Sequence, residues 1–78
     1  CEGRMRGEHL AALEHKTVHG CEGMTLIYCG VGEVHVIVGD ESVELKADEA
    51  ARLDGYAGEI KLCSKTGAKL MLAKAKEI

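Results

Sequence analysis

Short apolar runs cut by glycine and aspartate at near-regular intervals organise the chain from Gly23 to Ala73. Met24 to Cys29 is continuously apolar, and Gly30-Val31-Gly32 after it offers permissive backbone for a reversal, which predicts a hairpin. Glu33 to Val38 alternates strictly, with Val34, Val36 and Val38 on one face and Glu33, His35 and Ile37 on the other. It ends at Gly39-Asp40, a dipeptide suited to a tight turn. Ser42 to Lys46 alternates again with Val43 and Leu45 inward, Asp48-Glu49 marks a turn, and Ala50 to Leu53 makes a short strand closed by Asp54-Gly55. Glu59 to Lys65 points Ile60 and Leu62 towards a core. Beyond Thr66-Gly67, the run Leu70-Met71-Leu72-Ala73 has helix-forming residues, but its place after a turn in a chain of hairpins predicts a central strand, Lys69 to Ala75. Strands this short and regularly spaced predict an all-β barrel or sandwich of about seven short strands.

The start of the chain lacks this signal. Cys1 to Gly7 mixes charges and glycines without a period, and Glu8 to Lys16 places Leu10 and Leu13 at helical spacing among Ala and Glu. Residues 1–16 therefore read as a flexible or short-helical lead-in, and residues 17–78 as a single β domain. A first residue of Cys in place of Met reads as a processed product, a trimmed start or a longer protein whose start is missing.

Composition narrows what such a domain can be. A chain of 78 residues makes one domain and buries only about 60 to 65% of its unfolded surface. Phe, Trp and Pro are absent and Tyr28 and Tyr56 are the only aromatics, so the core is built from aliphatics. Both faces of Met24 to Cys29 and of Leu70 to Ala73 are apolar, and one face of each needs cover from outside the barrel; a homodimer is the expected partner. The net charge is −3, with lysines concentrated from Gly58 onwards. No aromatic interleaves those lysines to stack bases, which argues against nucleic acid. No apolar run reaches the roughly 18 residues of a membrane helix. The four cysteines form no C-x-x-C pair, so structural zinc is not indicated and reduced thiols in a cytoplasm are the expected state.

Three segments carry a family resemblance. LIYCGVGEVHV resembles the cupin hairpin in which a strand ends at a glycine and restarts as G-E-V, VELKADEAARLDG resembles the L-x-x-G-D-A segment that follows, and EIKLCSKTGAKLMLA resembles the closing pair of strands. Together they resemble the cupin superfamily of small double-stranded β-helix, or jelly-roll, barrels, and within it the second barrel of the HutD/Ves family of bicupins. The resemblance spans roughly Thr17 to Ala73. It implies a metal set of H-x-H, a glutamate and a later histidine, and here the chain departs: His15 and His19 stand four apart, Glu22 lies near the expected glutamate, and Gly55 to Lys61 holds no histidine.

Two functions follow from different classes. The first is a non-enzymatic, metal-free small cupin domain without a cofactor, acting as a ligand-binding or oligomerisation module, with Tyr28, His35 and Tyr56 lining a site for a small molecule. The second is a metal-dependent cupin enzyme, an isomerase or dioxygenase, in which His15, His19 and His35 converge on a transition metal. Cys21 beside His19 and Glu22 is a further candidate, as an activated thiol.

Overall fold

The computed structural model describes residues 2–76. Seven strands follow one another: β1 (Glu2–Leu10), β2 (His15–His19), β3 (Met24–Val38), β4 (Glu41–Lys46), β5 (Glu49–Asp54), β6 (Glu59–Cys63) and β7 (Ala68–Lys76). The strand β3 is the spine. Its first half pairs with β7 on one side and β5 on the other, its second half with β6 and β4, and every ladder is antiparallel. With β1 added beside β7 and β2 beside β6, this makes two four-stranded sheets, ordered β1-β7-β3-β5 and β2-β6-β3-β4. Among the described residues no helix is long and apolar enough to cross a membrane.

The expected hairpin at Gly30 to Gly32 is not a reversal. The chain runs on through it as a β-bulge between Cys29 and Val31, bends, and passes from the first sheet to the second. Gly32 has a positive φ of 83°, and a Cβ there would collide with the carbonyl oxygen of Gly67. The bulge shifts the phase of alternation. Thr25, Ile27 and Cys29 face inward before it, and Val34 and Val36 face inward after it. Residues of odd number are thus buried in the first half of β3 and exposed or half-buried in the second.

Between the sheets lie Leu10, Val18, Ile27, Cys29, Val34, Val36, Leu45, Ile60, Leu62, Ala68, Leu70 and Leu72, which pack as one cluster. The alternation of 33–38 and 59–63 therefore pointed its residues correctly. Val43 holds an inward register opposite Val36 but stays 47% exposed, because β4 is an edge strand. The thiols of Cys21, Cys29 and Cys63 are free; Cys1 lies outside the described residues.

The start of the chain departs from the expected flexible or short-helical lead-in. Glu2–Leu10 pairs with β7 over its whole length, from Glu2 opposite Lys76 to Leu10 opposite Ala68. An edge strand is held by its backbone ladder and needs few apolar side chains, which is why no period marks it. Leu10 anchors its end in the core with no exposed surface. Leu13, which looked like the next helical position, instead takes a left-handed φ of 65° in the turn to β2 and is exposed.

Candidate functional site

The outer face of the second sheet gathers a row of donor side chains from four strands. The two-residue turn Gly39-Asp40 pairs Val38 with Glu41, and counting back from it sets His35 opposite Glu44. On the other side of β3, Cys63 lies opposite His35, and His15 lies opposite Cys63. One row therefore crosses four strands as Glu44, His35, Cys63 and His15. Side chains directly opposite one another share a face, with Cβ atoms about 5 Å apart. Glu33, two residues before His35, joins them from the next row. A shallow depression of about 360 Å³ opens alongside, lined by Leu13, His15, His35, Ile37, Cys63 and Lys65 among others.

Glu33 is the fixed point. Its Oε1 accepts from the Lys65 amide (2.8 Å), the Thr66 amide (3.2 Å), the Ser64 hydroxyl (3.1 Å) and the Thr66 hydroxyl (3.3 Å). Ser64 is itself buried and accepts from the Gly67 amide at 2.9 Å, so the β6–β7 turn is organised around this carboxylate. Burial pushes the Glu33 carboxyl up, but these four hydrogen bonds outweigh it and hold the group below the ordinary glutamate range. The second oxygen, Oε2, is turned to His35 Nε2 at 3.6 Å, and Glu44 Oε2 approaches the same nitrogen at 3.3 Å. The imidazole thus sits between two carboxylates.

The residues anticipated as a ligand site do not meet. Tyr28 lies on the outside of the first sheet, opposite Met71 and Ala50, and its hydroxyl donates to Asp48 Oδ1 at 2.6 Å. That hydrogen bond, with burial and the Asp48 charge, raises its pKa above the usual tyrosine value. Tyr56 packs against the core from the β5–β6 turn and donates to the Glu59 carbonyl at 2.8 Å. His35 alone belongs to the donor row.

The alternative metal set divides in the same way. His15 and His35 flank Cys63, whereas His19 stands at the far end of β2 opposite Glu59, four residues or about 13 Å along the strand. All three point outward, so the set does not converge inside the barrel. Cys21 donates its thiol to the Met24 carbonyl at 3.3 Å, and its amide donates to Thr25 Oγ1. Its hydrogen bonds go to backbone and to Thr25, not to His19. Glu22 is exposed.

Glu33, Glu44 and Cys63 escaped sequence reading as site residues. A signal for Glu44 existed, since the turn at Gly39-Asp40 dictates its pairing with His35. For Cys63 there was none, because β6 reaches β3 only through the fold.

No protein-family model and no curated protein matches this sequence. Solved structures do match it. A cupin superfamily protein from Desulfitobacterium hafniense superimposes with a TM-score of 0.82 at 14% identity, over 96% of this chain and 68% of that one. The Cupin_2 domain of an XRE family transcriptional regulator from Enterobacter cloacae does so with a TM-score of 0.79 at 14% identity, over 96% and 83%. An HTH_3 family transcriptional regulator from Vibrio cholerae gives 0.81 at 13% identity, over 97% of this chain and 44% of its own. Seven antiparallel strands in two sheets around one aliphatic core, superimposing on these proteins over nearly the whole chain, give this protein the fold of a small cupin barrel.

Proposed function

We propose that the chain is a non-enzymatic cupin domain with no metal inside its barrel, acting as a binding and oligomerisation module and forming a homodimer. The observation that carries this is how the two faces of the sheets are used. Among the described residues the buried set is aliphatic apart from Cys29, Thr25 and Ser64, so the interior is packing and not a reaction chamber. The outer face of the first sheet presents Leu26, Tyr28, Met71 and Ala73 in adjacent register, bordered by Met5, which is 71% exposed. Apolar surface of this kind on a small domain is ordinarily covered by a partner. The donor row lies on the other sheet and stays free for a ligand.

Of the three structures described above, one is a transcriptional regulator and another is the Cupin_2 domain of one, which supports reading the barrel as a module that binds and reports. A bacterial cytoplasmic setting and the HutD/Ves likeness belong to the same proposal. Light scattering at micromolar concentration tests it: the expected mass is a dimer that Met71→Glu converts to a folded monomer. A wild-type monomer overturns the oligomerisation half of the reading.

A further inference from the structure

We propose that Glu33, His35 and Glu44 form a binding site for a divalent transition cation on the outer face of the second sheet, with zinc as the best-matched ion. The site goes beyond the module reading and departs from the metal-free expectation for the whole chain, because it lies outside the barrel and away from the apolar face assigned to the dimer.

Geometry carries the argument. One ligand atom from each of the three residues falls within 4.8 Å of the others. Zinc bonded to imidazole nitrogen and carboxylate oxygen at about 2.1 Å in a tetrahedron sets neighbouring ligand atoms about 3.4 Å apart. The two edges that meet at His35 Nε2 measure 3.3 Å to Glu44 Oε2 and 3.6 Å to Glu33 Oε2.

An independent observation points to a missing partner. His35 Nε2 and Glu33 Oε2 are both shielded from solvent, and neither makes a hydrogen bond. The Glu44 oxygen is within ion-pair distance of the nitrogen without making a hydrogen bond to it. Buried polar atoms are nearly always satisfied, and a cation between these two would satisfy both. The four hydrogen bonds to Glu33 Oε1 already hold the carboxylate with Oε2 towards the site, as supporting hydrogen bonds do for metal ligands. Two carboxylates and a neutral imidazole carry two negative charges, matched by a dication, and imidazole with carboxylate suits zinc better than the oxygen-only preference of calcium or magnesium. Three protein ligands leave one position of a tetrahedron for water or a small ligand.

Isothermal titration of chelator-stripped protein with zinc chloride tests this, with circular dichroism confirming each fold. The expected result is one equivalent bound, with His35→Gln and Glu44→Gln each weakening affinity at least about tenfold and His19→Gln leaving it unchanged. Both ligand variants alter half-buried or exposed outer-face residues and should stay folded. Absence of binding in excess zinc overturns the proposal and leaves His35 held between the two carboxylates without a metal. Binding that survives both substitutions overturns it equally.

Discussion

Outside the first sheet, adjacent register positions carry Leu26, Tyr28, Met71 and Ala73, whereas outside the second sheet they carry His15, Cys63, His35 and Glu44. Both surfaces are written on one strand, β3, and differ because the bulge between Cys29 and Val31 changes which residues of that strand face out. Had the alternation continued unbroken, Glu33 and His35 would face the core and Val34 and Val36 would face solvent. A one-residue change of phase moves an entire set of side chains to the opposite face. The bulge therefore creates the polar surface by turning these side chains to the outside of the sheet, and it keeps the core aliphatic.

The comparison is broken most severely by charging the inside of the first sheet. Ile27 and Leu72 face each other across the β3–β7 ladder at 0% and 3% exposure. Leu72→Glu or Ile27→Glu buries an unpaired carboxylate, at a cost of several kcal/mol against a total stability of only about 4 to 12 kcal/mol for a domain this size. Loss of the folded state in circular dichroism is expected. Met71→Glu, one residue away but outward, should leave the fold intact and change only assembly. Equal behaviour of Met71→Glu and Leu72→Glu would show that the assigned faces are wrong.

The bulge itself is the next target. Gly32→Ala puts a Cβ into left-handed backbone and against the Gly67 carbonyl. A cost of about 1 to 3 kcal/mol is expected for the backbone alone, read as a lowered denaturation midpoint. A variant as stable as wild type would mean that the bulge does not depend on this glycine.

A smaller effect sharpens the polar side. Glu33 has a folded-state pKa below its ordinary value, so its contribution is fully present above the unfolded carboxylate range and is lost as pH falls through the folded pKa. Wild-type stability should decline across that acidic window, and Glu33→Gln should show a shallower decline and a lower plateau near neutrality. An unchanged pH profile in Glu33→Gln would detach this carboxylate from the β6–β7 turn.

Local pattern determined a good deal of this protein. The alternation of Glu33 to Val38, the turn at Gly39-Asp40 and the inward Ile60 and Leu62 are all readable, because a half-buried strand imposes a period of two and a tight turn demands special backbone. The all-β barrel follows from the same pattern, while the cupin likeness rests on the resemblance of three segments of the chain. Three things only the tertiary structure decided. Glu2–Leu10 is a strand because β7 offers it an edge, and backbone pairing leaves little trace in side chains. Gly30 to Gly32 bends and does not reverse, because β3 can pair with β7 and β5 before the bulge and with β6 and β4 after it, a choice that local glycine content does not make. The donor row is likewise assembled across strands: the turn brings Glu44 to His35, but Cys63, His15 and the Ser64–Thr66 donors that orient Glu33 arrive from distant segments whose proximity is a property of the closed fold.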